Sequence, residues 1–277
     1  MSTAQTQQSY RLPFPSVAET PHTTERHWRT ANENLILLTE VGSRLHGIQV
    51  GGDDADMQGV CIEPPRVMLA TDDFQLYEYR TQPVGVRSGE GDIDLNVYGL
   101  AKWARLIMNG NPTHLLPLFA PPDKTFAITE IGQELRENAH LFLASSHADR
   151  FLGYLQRQRE RMLGNLAQRT NRPELVEEYG FDVKFASHAL RIAIQGIQLM
   201  RIGKIVLPML PEHRKYLVDV RQGKYTMGEV LKKLGSLEEE LLAAGKYTTK
   251  LPARVDEDFV NDWLVGVYRK HWEEQGL

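Results

Sequence analysis

Leu35-Ile36-Leu37-Leu38-Thr39-Glu40-Val41-Gly42-Ser43-Arg44 is followed, ten residues on, by Asp54-Ala55-Asp56. The apolar run predicts a short buried strand that delivers a glycine-bearing turn. Backbone N–H groups in such a turn can converge on an anion, and the Ser43 hydroxyl and Arg44 guanidinium add donors for phosphate oxygens. Alternation from Asp54 into Val60-Cys61-Ile62 predicts a second strand, from which Asp54 and Asp56 leave the same face. Carboxylates so placed can share cations, and hard oxygen ligands favour Mg²⁺ or Mn²⁺ over zinc.

A third carboxylate comes from Asp92-Ile93-Asp94-Leu95-Asn96-Val97. Its alternation puts Asp92, Asp94 and Asn96 on one face and the apolar residues on the other, as in a half-buried strand beside the first metal strand. Asp94 is the chosen third ligand, with Asp92 in reserve. A triad of this kind beside a phosphate-binding turn is the equipment of metal-assisted nucleotidyl transfer.

The second half changes character. Pro121-Pro122-Asp123-Lys124 closes an α/β segment, and the pattern predicts helices over about 129–143, 147–166, 182–202, 227–244 and 257–274. The expected organisation is a catalytic domain over residues 1–125 and a helical domain over 126–277. Residues 1–125 carry 10 Lys+Arg against 15 Asp+Glu, while the remainder carries 22 against 21. Within 147–172, Arg150, Arg157, Arg159, Arg161, Arg169 and Arg172 face only Asp149 and Glu160. Such a helix either lines a phosphate groove for nucleic acid or is a solvated face.

The predicted helix from Asp182 carries two stripes. Phe185, Ala189, Ile192, Gly196 and Leu199 pack, while Lys184, His188, Arg191, Gln195 and Gln198 form a polar stripe suited to a cleft. Lys184 and Arg191 can bind triphosphate or acceptor phosphate, and His188 can donate a hydrogen bond or assist proton transfer. After Asp94, a further helix presents Lys102 on its polar side, reaching for the cleft, and Asn111-Pro112 ends it.

Composition excludes other classes. With 42% hydrophobic and 25% charged residues the 277-residue chain can bury one or two ordinary cores. The single cysteine, Cys61, rules out an internal disulfide framework and a cysteine-based zinc cluster, and its apolar surroundings assign it to core packing. No run of about 18 apolar residues and no secretory leader pattern is present, so the expectation is a cytoplasmic protein without a membrane span. Trp28, Trp103, Trp263 and Trp272 are expected in core packing rather than in base stacking. The opening residues are expected to fray.

These residues taken in order resemble the nucleotidyltransferases of the DNA polymerase beta superfamily, in the RNA-ligase-associated or YcgL-like branch. The resemblance rests on Gly42-Ser43-Arg44 with Gly47, Asp54-x-Asp56 leading into Gly59-Val60, Asp94 followed by Leu100 and Lys102, and Asn111-Pro112. Lys184, His188 and Arg191 match its K-x-x-x-H-x-x-R pattern, and Gly223-Lys224-Tyr225 and Leu251-Pro252 are later signposts. One departure is Asp53, where relatives often carry Ser or another small polar residue.

The resemblance implies an α+β protein: a small mixed-sheet, polymerase-beta-like palm domain followed by an α-helical domain. It implies transfer of a nucleoside monophosphate from an NTP, with Mg²⁺ or Mn²⁺ on Asp54, Asp56 and Asp94. Gly42, Ser43, Arg44, Lys102, Lys184, His188 and Arg191 would then bind the nucleotide or the acceptor phosphate. It favours an RNA end as acceptor, tRNA-like or a cleaved RNA awaiting repair. A protein or small-molecule hydroxyl, or a noncatalytic nucleotide- or RNA-binding module, are the alternative readings.

Overall fold

The apolar run that opens the motif is a strand, β1 (Leu35–Glu40), buried along nearly its whole length. In the computed structural model, which describes residues 10–52, 54–71, 74–166 and 172–277, it lies between two antiparallel neighbours. Chain order is α1 (Glu25–Glu33), β1, α2 (Gly42–His46), β2 (Ala55–Cys61), α3 (Pro65–Leu69), β3 (Leu76–Arg80) and β4 (Ile93–Gly99). Then come α4 (Leu100–Met108), α5 (Leu116–Phe119), β5 (Thr125–Ile128), α6 (Glu130–Glu137), α7 (His147–Met162) and α8 (Pro173–Tyr179). The chain ends in α9 (Val183–Ile202), α10 (Pro211–Arg221), α11 (Met227–Tyr247) and α12 (Glu257–Glu274).

Among the described residues the strands form one mixed sheet in the order β3-β4-β2-β1-β5. Only β2 and β4 run parallel, which is possible because α3 and β3 carry the chain back between them. This sheet with its succession of helices is the expected α+β architecture.

Alternation divides the sheet into two wet-proof faces. Ile36, Val60 and Ile62 pack toward Trp103, Phe142 and the long helices in one continuous core, whereas Leu38, Met57, Tyr77, Leu95 and Val97 pack on Leu12 and Ala31. Cys61 belongs to the second cluster, and burial pushes its thiol well up, so it is an inert core residue as read from the sequence. Trp103 is fully buried, and the indole N–H groups of Trp28, Trp263 and Trp272 are spent on Leu12, Glu134 and Glu63.

Helix ends have local causes. Asp182 caps α9 by accepting from the Lys184 and Phe185 amides, and Gly203 at φ 70° ends it. α7 stops four residues short of the sequence reading because Leu163-Gly164 turns the chain, Gly164 at φ 72°. α6 likewise ends early, and a short 3₁₀ turn, Ala139–Phe142, completes the expected stretch. α1, α8 and α10 had no sequence reading; the last two begin at Pro173 and Pro211, each the first helical residue.

The last helix is tied back to the sheet through a buried carboxylate. Glu63, 2% exposed, accepts from the Leu100 amide at 3.0 Å and from the Tyr268 hydroxyl, and its carbonyl accepts from the Trp272 indole at 2.9 Å. Gly99 makes room for it, since a Cβ there would lie 1.9 Å from Glu63 Oε1. No helix among the described residues is long and apolar enough to cross a membrane.

Candidate active site

The parallel pairing of β2 with β4 sets the site. Register places Asp56 opposite Asp94, and Asp54 stands just before β2 begins. One carboxylate oxygen from each of Asp54, Asp56 and Asp94 lies within 4.8 Å of the others, and all three side chains are half-buried. Three acidic groups this close repel one another, and a divalent cation offsets that repulsion. The donor set, all oxygen and at least partly open to water, suits Mg²⁺ or Mn²⁺. Asp53, whose effect on the triad the sequence left open, lies outside the described residues.

Gly42 forms the wall behind Asp56. The sequence predicts a turn at Gly42-Ser43-Arg44; instead Gly42, at φ 68°, opens the short helix α2, which Ser43 and Arg44 continue. A Cβ on Gly42 would lie 2.0 Å from Asp56 Oδ2, so only glycine permits both the left-handed backbone and the contact. α2 ends at Gly47, φ 70°. Arg44 leans toward the buried Glu40 at 4.0 Å, and Lys124 also holds Glu40 at 2.5 Å.

Asp94, and not the reserve candidate Asp92, joins Asp54 and Asp56. Asp92 is used by the turn before β4: it accepts from Thr81 Oγ1 at 2.6 Å and from the Gly89 amide at 2.8 Å, which hold its carboxyl below the usual range. Asp94 instead accepts from Arg80 Nε at 2.6 Å, from Gln82 Nε2 at 3.1 Å and from the Ser88 hydroxyl. Arg80, Gln82 and Ser88 were missed by sequence reasoning. The available signal was Leu76-Tyr77-Glu78-Tyr79-Arg80, whose alternation marks a strand ending in a cation.

The polar stripe of α9 comes to α2. Arg191, 8% exposed, donates from Nη1 to Gln195 Oε1 at 2.8 Å, and Gln195 Nε2 lies 3.2 Å from His46 Nδ1 on α2. With the amide donating, His46 is neutral and carries its proton on Nε2. Burial and the nearby Arg191 and His188 hold its imidazole well below the ordinary value. Burial pushes the Arg191 guanidinium down to about 10, and among the described residues no carboxylate pairs with it.

His188 is half-buried in a cationic setting. Burial first, and then Arg191, Arg161, Arg172 and Lys184, keep its imidazole well below the ordinary value, so it is neutral near pH 7. Lys184 is exposed. Arg172 bonds Asp182 at 3.3 Å and lies 5.0 Å from the Phe185 ring centre. The Arg87–Glu174 ion pair, 2.7 Å, joins the loop that carries Ser88 to α8, so the Asp94 side and the cationic side share one rim.

Lys102 is not brought to this cleft. Its ammonium donates to Gln75 at 2.6 Å, beyond the end of β4 remote from Asp94. Five strand residues, roughly 17 Å, separate Asp94 from the start of that helix. The helix after β4 turns its polar side to the far end of the sheet, a consequence of topology that its own periodicity does not carry.

Comparison with known proteins identifies a family for most of the chain. Residues 19–266 match the family described as RlaP, RNA repair pathway DNA polymerase beta family. An uncharacterized 38.9 kDa protein in the nrdC-mobD intergenic region of Enterobacteria phage T4 is 19% identical, over 84% of this chain and 96% of its own. Spectinomycin adenyltransferase AAD(9) from Enterococcus faecialis, solved with ATP and spectinomycin, is 14% identical; 77% of this chain and 94% of that chain are covered, with a TM-score of 0.37. A nucleotidyltransferase-like protein from Exiguobacterium sibiricum is 13% identical, with 78% and 72% covered and a TM-score of 0.30. Both scores are low, and the fold rests on the strand order described above.

Proposed function

Given that the chain belongs to the RNA repair pathway DNA polymerase beta family, and so is a nucleotidyltransferase of the DNA polymerase beta superfamily, we propose that it transfers a nucleoside monophosphate from an NTP to the hydroxyl of an RNA end. The observation that carries this reading is the convergence of Asp54, Asp56 and Asp94 from two parallel strands to within 4.8 Å. Linked through Gln195 to His46 on α2, the helix that Gly42 opens, is a buried arginine, Arg191, with no carboxylate partner among the described residues. A buried cation is costly until an anion meets it, and a triphosphate is such an anion.

In this reading Asp54, Asp56 and Asp94 hold divalent cations. Bound there, Mg²⁺ or Mn²⁺ neutralises charge on the transferring phosphoryl group and lowers the pKa of the acceptor hydroxyl. Ser43 and Arg44 bind the β and γ phosphates beside Gly42, while Arg191 and Lys184 neutralise the triphosphate or the acceptor phosphate. His188, neutral near pH 7, donates a hydrogen bond to a phosphate oxygen. The acceptor oxygen forms a bond to the α-phosphorus and releases its proton to water, the bond from that phosphorus to the α,β-bridging oxygen breaks in line, and pyrophosphate leaves with that bond's electron pair. Preorganised charge supplies most of the acceleration in such transfers. The family description supports RNA as the acceptor.

The test incubates the protein with each α-labelled NTP and Mg²⁺ or Mn²⁺, in parallel with total RNA, cell extract and no acceptor. Label on RNA that disappears in Asp54→Asn and Asp56→Asn is the expected result. Label on polypeptide or on a small molecule would reassign the acceptor, and nucleotide binding without transfer would make the protein a binding module.

A further inference from the structure

Along α7, Arg150, Arg157 and Arg161 are spaced seven and four residues apart, which puts them on one flank of the helix with Tyr154 between them. The adjacent face, carrying Phe151, Leu155 and Met162, is buried in the core. At one end of the flank a cavity of about 290 Å³ is bordered by Asn109, Asn111, Arg150, Tyr154 and Arg157, with Asp149 as its one acidic side chain. Arg150 Nε donates to the Asn109 carbonyl at 3.2 Å, and the Asn111 amide donates to the Tyr154 hydroxyl at 2.9 Å. The tyrosine is thereby fixed by its hydroxyl. Arg150 and Arg157 are exposed and form no ion pair among the described residues.

At the other end Arg161 lies 5.8 Å from the ring centre of Phe185, which Arg172 also covers. One turn along α9 from Phe185 stands His188, in the cationic side of the cleft. From Arg150 to Arg161 the helix rises roughly 16 Å, enough for two or three phosphates of an extended strand. Regularly spaced arginines with an interleaved aromatic are the chemistry of single-strand binding, in which guanidinium groups follow the backbone and a ring stacks on a base. A solvated helix face needs neither a cavity nor a tyrosine held from the loop after α4.

We infer that this flank of α7 is the track of the acceptor strand, binding single-stranded RNA upstream of the end presented at the carboxylates. The inference rests on the proposed nucleotidyl transfer to RNA. It implies that an acceptor several nucleotides long binds better than a dinucleotide.

The test measures binding of labelled single-stranded RNA oligomers of 2 to about 12 nucleotides to the full chain at several salt concentrations, alongside Arg150→Ala/Arg157→Ala and Tyr154→Leu. The expected double variant binds the longest RNA about tenfold more weakly, and the slope of log affinity on log salt falls by about 1.4. Its affinity for the shortest oligomer and for NTP stays at the wild-type value. Wild-type affinity and slope in the double variant overturn the track and leave nucleotidyl transfer standing. No RNA binding by the wild type, with label passing to polypeptide, overturns both the track and the RNA acceptor. A DNA arm of the same sequence reads the sugar: equal affinity shows a track for the phosphate backbone alone, contrary to the RNA assignment.

Discussion

Asp56 and Asp94 stand opposite each other on the only parallel strand pair among the described residues, so the backbone register itself fixes their separation. Replacing Asp56 by Asn keeps the shape and removes one negative charge from the triad. Transfer of label from NTP is expected to fall by about 10³, the several kcal/mol attached to such electrostatic groups. Thermal stability without metal should be unchanged or higher, because like-charge repulsion is relieved. Saturating Mg²⁺ should raise the wild-type melting temperature, a ligand at 100 times its Kd contributing about 2.7 kcal/mol, and should leave Asp56→Asn unmoved. An equal Mg²⁺ response in both proteins would remove the carboxylates from the metal site.

Gly42 is bound to its neighbour by sterics alone. Gly42→Ala forces a side chain into the left-handed region at about 1–2 kcal/mol, and its Cβ meets Asp56 Oδ2. Denaturant titration should register at least that loss. A fall in transfer larger than the loss of folded protein would show that Asp56 has been displaced; an active, stable Ala variant would contradict the contact.

Much of this was legible in the sequence, for identifiable reasons. Strand alternation delivered Asp54, Asp56 and Asp94, and helical periodicity delivered the polar stripe of Arg191 and Gln195, because both are local patterns that tertiary packing preserved. Arg80, Gln82 and Ser88 escaped because they meet Asp94 across a turn whose pairing is visible only once β3 is placed beside β4. Lys102 shows the converse: its side of the helix was readable, but which end of the sheet that helix returns to was not. His46 carried no signal in the sequence, because its bond to Gln195 spans 149 residues.

Neutral histidines, one buried and one half-buried, make stability depend on pH. His46 and His188 are held well below the ordinary imidazole value of about 6.5 in the folded state, while the unfolded chain titrates near it. The unfolded state therefore binds more protons as pH falls, and stability decreases with pH from about 6.5 downward. Melting temperatures between pH 7.5 and 5 should fall with a slope that His46→Gln reduces. A flat profile in the wild type would mean that these rings reach water when protonated.

Tyr268 and Glu63 join the last helix to the start of α4. Tyr268→Phe removes the hydroxyl that donates to Glu63 and accepts from the Ala101 amide at 3.1 Å. Both partners are then left short of a bond in a buried place, at a cost of about 1–3 kcal/mol. Burial already pushes the Glu63 carboxyl up, so the variant should take up a proton there at higher pH than the wild type. Chemical denaturation checks the first effect, and the second appears as a smaller deficit at pH 5 than at pH 8.

Arg191 separates a structural role from a binding one. It is buried, bonded to Gln195 and without a carboxylate partner among the described residues, so in the ligand-free fold its charge is a net cost. Arg191→Met should leave stability unchanged or raise it, despite the lost bond to Gln195. The same variant should weaken NTP binding by tenfold or more, since a desolvated guanidinium-to-phosphate contact contributes about 1.5–3 kcal/mol. Arg191→Lys should recover part of the affinity by restoring the charge without the forked geometry. Equilibrium titration with a nonhydrolysable NTP analogue, paired with thermal melts, reads both quantities. Loss of stability with unchanged affinity would make Arg191 a strut between α9 and α2 rather than a phosphate ligand.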